Sequence, residues 1–299
     1  MYEQIASNRR RTVFLVLASV LLLVGLGYLF GYLIGAGPVG AIIALVIAAA
    51  LSWTSFRYGD RMVLAASRAK SVTKEEQPRL HNLVEGLAIG DGLPKPAVYV
   101  IPDPAPNAFA TGRDPEHSSV AVTQGLLDMM NRLELEGVLA HELSHVKNRD
   151  ILVGTIAATL AGAVVLLADI MLRTLFWGGG RRGRDRDGGG AFAVVALLGI
   201  ALAILAPLFA QIIRLAVSRR REYLADADGA MLTRYPPGLA SALRKIAADH
   251  TPLRVANNAT AHLWLAPATR TPGPKLTLWE RLFDTHPPIE ERIRILEEM

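Results

Sequence analysis

Apolar residues are concentrated in four long runs along the chain, and these runs come in two pairs. The first pair covers residues 12–34, a stretch of 23 positions without a charged side chain, and residues 39–56 after the turn at 35–38. About 20 apolar residues are enough for a helix to cross the hydrocarbon core of a bilayer. Residues 1–56 are therefore predicted to form a transmembrane hairpin that stays attached to the chain rather than a cleaved signal peptide.

The second pair of runs covers residues 151–172 and 191–213 and predicts a second transmembrane hairpin over 151–213. Between them lies the glycine- and arginine-rich segment 178–190, whose low complexity predicts a flexible loop. Basic residues flank the first pair on both sides, and this bias places those ends in the cytoplasm. The arginines of 178–190 would then lie on the opposite, non-cytoplasmic side of the membrane, which the same charge bias disfavours. A second pair that only dips into the bilayer, or that packs as a buried hairpin, stays an alternative.

The rest of the chain has the composition of a soluble domain in two halves, residues 57–150 and 214–299. Apolar spacing of three to four residues predicts helices at 75–89, 237–248 and 287–298. Alternating segments between turn residues predict three strands, at 96–101, 107–112 and 118–123. The predicted fold is mainly α: a multi-pass membrane protein with four transmembrane helices and a domain that contains a small β-sheet.

His141, Glu142 and His145 form the pattern His-Glu-x-x-His within a predicted helix. Histidines four residues apart lie on one face of a helix, one turn apart, and are close enough to bind one metal ion. Glu142 lies beside them, where its carboxylate reaches a metal-bound water without itself binding the metal. A zinc hydrolase needs two neutral nitrogens, a water whose pKa the metal lowers and a base that accepts its proton.

A third ligand distinguishes a metal site from a helix with a solvated polar face. Glu222 and Asp226 follow the fourth apolar run, four residues apart on a predicted helix. Glu222 is able to bind the metal, while Asp226, one turn later, accepts a hydrogen bond from the outer nitrogen of a ligand histidine. The second hairpin separates His145 from Glu222, so it must leave and return on the same side of the membrane.

Composition narrows the chemistry further. The chain of 299 residues is 51% hydrophobic and contains no cysteine, which excludes a thiol nucleophile, a thiolate zinc site and a disulfide framework. Any metal must bind to histidine and carboxylate, and we predict one Zn²⁺ per chain. The formal net charge is +5, but the basic residues lie beside apolar runs. We interpret them as contacts with the lipid bilayer and expect no nucleic-acid partner.

Four segments of the chain form a pattern when they are taken together. They are Asn-Ala-Phe-Ala-Thr-Gly at 107–112, the segment 140–150 with its two histidines, Arg-Glu-Tyr-Leu-Ala-Asp at 221–226 and Thr-His-Pro-Pro at 285–288. In this order they closely resemble the HtpX-type membrane zinc metalloproteases. The resemblance covers nearly the whole chain, including the two pairs of apolar runs. It implies a gluzincin-like endopeptidase of the bacterial cytoplasmic (inner) membrane with its catalytic domain in the cytoplasm. Its expected substrates are misfolded or damaged membrane proteins and unfolded polypeptides, within a stress response.

The same resemblance implies roles for individual residues. The zinc ligands are His141, His145 and Glu222, the general base is Glu142, and Asp226 supports a ligand histidine. His286 either donates to the oxyanion of the tetrahedral intermediate or only fixes a loop. Asn107 begins the second predicted strand and is a candidate for substrate binding, since the free edge of a strand is able to pair with an extended peptide. A plain structural edge strand is the alternative.

Two other functions compete with this prediction. The first is a membrane scaffold or holdase with a structural metal, although structural zinc usually has four protein ligands and does not need a base such as Glu142. The second is an enzyme resembling the prenyl-protein endoproteases that share the zinc motif, which carry more membrane segments around a large chamber. The sequence does not predict the cleavage preference, the oligomeric state or control by self-cleavage.

Overall fold

The structure is a computed structural model, and it describes residues 2–33, 38–163, 219–256, 260–266 and 287–299. Most of the second pair of apolar runs, the segment 178–190 and His286 lie outside the described residues. The described residues form a mainly helical protein with one small mixed β-sheet, which confirms the predicted fold class at this level.

Two long helices, α1 (Tyr2–Leu33) and α2 (Val39–Ala66), pack along each other as a helical hairpin. They approach each other tightly at Gly27, where an added Cβ would lie 2.5 Å from the Gly40 carbonyl oxygen and would also meet Ala44. Small residues at such a contact are typical of helices that pack within membranes. Among the described residues, α2 is the one helix long and apolar enough to cross a membrane. The four predicted crossings therefore stay a prediction.

Helix α2 continues well beyond the predicted end of its apolar run. No proline interrupts it, and the polar segment that follows the run keeps the helical conformation. There the guanidinium groups of Arg57 and Arg61 lie 5.3 and 5.9 Å from the centre of the Tyr58 ring. The helix ends before Arg68, which takes a left-handed conformation with φ 54°.

The sheet contains β1 (Lys70–Ser71), β2 (Ala97–Ile101), β3 (Ala108–Asp114) and β4 (His117–Thr123), in the order β1-β2-β4-β3. Strands β2 and β4 are parallel, whereas β3 and β4 form an antiparallel hairpin. β2, β3 and β4 correspond to the three predicted strands. The sequence does not predict β1, because its two residues are exposed and show no apolar alternation. They form a strand through their antiparallel pairing with β2.

Helix α3 (Pro78–Asp91) ends at Gly92, whose left-handed φ of 68° is typical of a glycine that terminates a helix. A short helix α4 (Gln124–Met129) follows β4 directly, and α5 (Arg132–Lys147) carries the His-Glu-x-x-His pattern. The beginning of the third apolar run forms α6 (Asp150–Ala163).

The later described elements are α7 (Arg219–Thr233), α8 (Pro236–Ala248), a 3₁₀ turn at Ala261–Leu263 and α9 (Ile289–Glu297). Helices α8 and α9 lie at the positions predicted for 237–248 and 287–298. Helices α7 and α8 pack against α5, which carries the His-Glu-x-x-His pattern.

The sheet lies between two apolar layers. Its inner face packs against α3, α5, α8 and the end of α9 through alternating residues that include Val98, Val100, Ala110, Val120 and Val122. On the opposite face, Phe109 meets Trp264 edge to face, with ring centres 4.8 Å apart. Helix α5 is therefore held inside the protein between the sheet and the later helices, which is a rigid position for metal ligands.

Candidate metal centre

Helix α5 begins with a capping box that fixes its first turn. The Asn131 side chain accepts a hydrogen bond from the Glu134 backbone N–H, and the Glu134 carboxylate accepts one from the Asn131 N–H at 2.9 Å. About two and three turns further on, His141 is fully buried, and the His145 side chain is 13% exposed. Their Nε2 atoms are 3.2 Å apart, and their ring planes are nearly perpendicular. Both Nε2 atoms therefore face one point.

Helix α7 contacts α5 at the first histidine. Gly229 makes this possible, because a Cβ there would lie 3.0 Å from the His141 backbone nitrogen. The contact places the Glu222 carboxylate opposite the histidines, with Oε2 3.7 Å from His141 Nε2 and Oε1 3.7 Å from His145 Nε2. Each of the three side chains offers one metal-ligand atom, and these three atoms lie within 4.8 Å of one another. This arrangement is able to hold one metal ion.

Each of the two histidines has a carboxylate at its outer nitrogen. Asp226 Oδ1 lies 2.9 Å from His141 Nδ1, and Asp150 Oδ2 lies 3.0 Å from His145 Nδ1. A histidine that donates from Nδ1 to a carboxylate keeps the lone pair of Nε2 for a metal. Both rings are therefore held in the orientation that metal binding requires, with Nε2 turned toward the metal position.

Asp150 was not among the predicted site residues. It reaches His145 because the chain turns sharply after α5, where Arg149 adopts a left-handed φ of 56°. Asp150 then begins α6 and points back toward the metal centre. Helical spacing alone does not predict this contact, because it depends on a turn that has no glycine to mark it.

Arg292 of α9 is a second site residue that sequence reasoning missed. Its buried guanidinium donates to both oxygens of Asp226, at 2.8 and 2.7 Å, and to the Leu265 carbonyl oxygen at 3.1 Å. It also lies 3.9 Å from Glu222 Oε2. A signal was present, since Arg292 follows Ile289 by three residues and therefore lies on the apolar face predicted for the helix at 287–298.

These contacts change the proton affinities of the site in the absence of a metal. Burial alone would lower the pKa of His141, but its hydrogen bonds to Asp226 and Glu222 raise that pKa to about 9. Burial would raise the pKa of Asp226, but the charge and hydrogen bonds of Arg292 lower it to about 2. Asp226 is therefore ionised and Arg292 charged, and the pair forms a permanent support for His141.

Glu142 faces the same pocket as the histidines, and only 2% of it is exposed. Burial raises the pKa of its carboxyl group above the ordinary value. Within the described part of the chain, its Oε1 atom has no hydrogen-bond partner. The pocket has about 20 Å³ of free space, enough for about one water molecule. A buried carboxylate with a free oxygen beside a water-sized space is suited to accept a proton.

Comparisons with known proteins assign the chain that carries this site to a family. The model of Peptidase family M48 matches residues 74–299. The chain is 46% identical to the Protease HtpX homolog of Thermoanaerobacter pseudethanolicus, over 100% of this chain and 98% of that protein. The chain belongs to peptidase family M48.

Two other relatives of this M48 peptidase agree in sequence. It is 46% identical to the Protease HtpX homolog of Tropheryma whipplei strain Twist, over 100% of this chain and 98% of the relative. It is 48% identical to the Protease HtpX homolog of Pyrococcus furiosus, over 93% of this chain and 91% of the relative. The crystal structure of S. mikatae Ste24p aligns with 99% of this chain and 67% of its own, with a TM-score of 0.49 and 18% identity. The predicted resemblance to HtpX-type proteases is confirmed, and the protein is a metalloprotease with a metal cofactor.

The structure brings four predicted residues of this M48 peptidase together, namely His141, Glu142, His145 and Glu222, with Asp226 behind the first histidine. Asn107 is buried elsewhere: its side chain donates to the Ala266 carbonyl oxygen and accepts from the Ala266 N–H. Its predicted role in substrate binding stays a prediction. His286 lies outside the described residues, so both of its predicted roles stay open.

Proposed function

We propose that this M48 peptidase is a zinc-dependent endopeptidase of the bacterial cytoplasmic (inner) membrane that hydrolyses peptide bonds of misfolded or damaged membrane proteins. The observation that carries the proposal is the meeting of His141, His145 and Glu222 around one point, with buried Glu142 beside them. The stress-response role expected from the sequence follows from the same substrate class.

The ligand set favours zinc. Two imidazole nitrogens and one carboxylate are typical of hydrolytic zinc sites, which keep the fourth position open. His141, His145 and Glu222 would hold the ion, and the two outer carboxylates keep both imidazoles in the binding tautomer. When bound, zinc supplies a Lewis acid that lowers the pKa of a water and polarises the scissile carbonyl.

Glu142 is the proposed general base. Its carboxylate accepts the proton of the attacking water and delivers it to the leaving amine as the peptide bond breaks. The raised pKa caused by burial suits this exchange, because a base whose pKa is closer to neutrality also acts well as the acid that returns the proton. His286 is a proposed donor to the oxyanion.

Strand β3 is the proposed binding edge for the substrate backbone. Along its outer edge the Ala108 carbonyl accepts from Leu265 N–H, and Gly112 N–H donates to Thr155 Oγ1. Ala110 lies between them and lines the metal pocket, and by the two-residue alternation its backbone groups point to the same edge. We expect an extended peptide to pair with Ala110 by strand addition. Since the pocket has room for about one water, the covering residues 262–265 must move aside.

The exposed surface of the helical hairpin supports the membrane location. On α1, Leu21 is 71% exposed, and on α2, Val46 and Trp53 are 64 and 62% exposed. Apolar side chains exposed in such number along two helices are typical of contact with lipid. We propose four crossings, in the hairpins 1–56 and 151–213, with the catalytic residues on the cytoplasmic side.

Metal-dependent cleavage tests the proposal. The full chain, purified in detergent, is incubated with casein and with an unfolded membrane protein, then stripped with a chelator and reloaded with one equivalent of zinc. We expect cleavage to disappear with the metal and to return with zinc. Cleavage that persists in metal-free protein would contradict the proposed site.

A membrane scaffold with a structural metal is the competing function. It predicts that zinc raises the unfolding temperature while no substrate is cleaved. Among the described residues, three side chains converge on the metal position and the adjacent Oε1 of Glu142 has no hydrogen-bond partner. Both features favour the enzyme, because a structural zinc site is usually closed by a fourth protein ligand.

A further inference from the structure

One face of α1 is buried although the helix is predicted to lie in the membrane. Among the described side chains of α1, the buried ones are Asn8, Thr12, Leu15 and Ser19, which follow one another at helical spacing. Leu15 packs against Val153, Ile156, Ala157 and Leu160 of α6. This face therefore docks α1 onto α6, the helix that begins with the metal-centre residue Asp150.

Asn8 connects this docked face to the metal centre. Its Nδ2 group has two hydrogens and two acceptors: it donates to the Asn148 carbonyl oxygen at 2.9 Å and to Asp150 Oδ1. The other oxygen of Asp150, Oδ2, faces His145 Nδ1 at 3.0 Å and lies 3.6 Å from Arg221 Nε. The Asp150 carboxylate is thus held on one oxygen by α1 while its other oxygen orients a metal ligand.

The two histidines are supported in the same way from opposite sides. Asp226 is held by Arg292 and orients His141, whereas Asp150 is held by Asn8 and orients His145. Partners of this kind set the orientation of a ligand ring and change the metal affinity. The Asn8 amide bonds the Asp150 carboxylate and also the Asn148 carbonyl oxygen at the end of α5. It therefore fixes the Asp150 side chain relative to the helix that carries His145.

We propose that Asn8 is a positioning residue of the metal centre, so that full zinc affinity requires α1 to be docked on α6. The inference rests on the proposed zinc site. Asn8 is not among the three side chains that would hold the metal, and it acts through Asp150 on the orientation of His145. The N-terminal hairpin is then part of the catalytic unit and more than a membrane anchor.

Zinc affinity of the detergent-purified full chain, measured by competition with a chelating dye, tests the inference without any activity assay. We expect Asn8→Leu, which keeps the size and removes the amide, to raise the zinc Kd on the order of tenfold. Asn8→Ser provides a milder variant if Asn8→Leu does not fold. The matched control is Thr12→Val, one turn further on the same buried face, whose hydroxyl donates to the Asn8 carbonyl oxygen within its own helix. Thr12→Val is expected to bind zinc like wild type.

A double-mutant cycle separates positioning from general helix packing. If Asn8 acts through Asp150, Asn8→Leu adds less than about twofold to the zinc Kd in an Asp150→Asn background. An equal effect in both backgrounds, an equal effect of Thr12→Val, or a zinc Kd of Asn8→Leu within about twofold of wild type would overturn the inference. In those cases wild type still binds zinc and the proposed function stands. A wild-type protein that binds no zinc would instead contradict the proposed function itself.

Discussion

At the scale of single residues, the metal centre depends on carboxylates that each bind two partners. Asp226 lies between His141 and Arg292, and all three are buried. Removing one member of a buried ion pair leaves an uncompensated charge, which costs about 3–5 kcal/mol of stability. The side chains behind the ligands are therefore expected to affect both folding and metal binding.

Arg292→Met tests this support. In this variant Asp226 loses both of the hydrogen bonds that it accepts from Arg292. We therefore expect the free energy of unfolding to fall by about 3 kcal/mol and zinc binding to weaken by about tenfold or more. The matched control is Arg294→Met on the same helix, where the ion pair with Glu298 is exposed and contributes little. Equal effects of the two substitutions, in denaturant unfolding and zinc competition, would show that Arg292 has no special role.

Metal binding should also displace a proton from His141. Without metal the pKa of this imidazole is about 9, so it is protonated at neutral pH, while a metal binds only the neutral ring. Zinc affinity should therefore rise with pH up to about 9 and level off above it. Calorimetry near pH 7 in two buffers of different ionisation enthalpy measures the released proton. Identical apparent binding enthalpies in the two buffers would contradict this protonation state.

At the scale of elements, the site requires α7 to lie directly against α5. Gly229 has backbone atoms of Ala140 and His141 at 3.0 to 3.2 Å from the position of an added Cβ. A side chain there must push α7 away and move Glu222 and Asp226 with it. Crowding of this kind typically costs about 1–3 kcal/mol.

Gly229→Ala is therefore expected to weaken zinc binding and to lower stability by about 1–3 kcal/mol. The control is Gly86→Ala in α3, where nothing lies within 4 Å of the new methyl group. That change should raise stability by up to about 1 kcal/mol, since alanine favours a helix over glycine. Denaturant unfolding and zinc titration of both variants provide the comparison, and a neutral Gly229→Ala would be evidence against tight α5–α7 contact.

Local pattern in the sequence predicts most elements, and long-range contact explains what it misses. Alternation and helical spacing place β2 to β4, α3 and α8 close to their observed bounds. The pattern also selects His141 and His145, because both lie on one helix. Asp150, Arg292 and Asn8 were missed because their roles depend on a left-handed turn or on partners far along the chain.

At the scale of the whole molecule, the metal centre is assembled from parts of the chain on both sides of the second apolar pair. Helix α5 precedes that pair, and α7 and α9 follow it. If the second pair enters the membrane as proposed, the two sides can meet only when the chain returns to the side of the membrane that it left. The proposed membrane topology of the second hairpin therefore decides whether the metal ligands of α5 and α7 are able to meet.

Cysteine labelling tests this topology cleanly, because the chain contains no cysteine of its own. In intact cells, a membrane-impermeant maleimide should label Gly183→Cys, in the segment proposed to lie across the membrane. Ser71→Cys, exposed in β1 on the catalytic side, should be labelled only after lysis. Labelling of Ser71→Cys in intact cells would contradict a cytoplasmic catalytic domain, and a Gly183→Cys that needs lysis would contradict a spanning second hairpin.

The most direct test of the account compares wild type with Glu142→Gln, measuring zinc content and casein cleavage on the same detergent-purified preparations. Glutamine keeps the size of the side chain and removes its basicity, and Glu142 is not among the three metal-binding side chains. We predict about one zinc per chain in both proteins, and cleavage by wild type alone. Cleavage by Glu142→Gln at the wild-type rate, or loss of zinc from that variant, would contradict the assignment of Glu142 as the base of a metalloprotease.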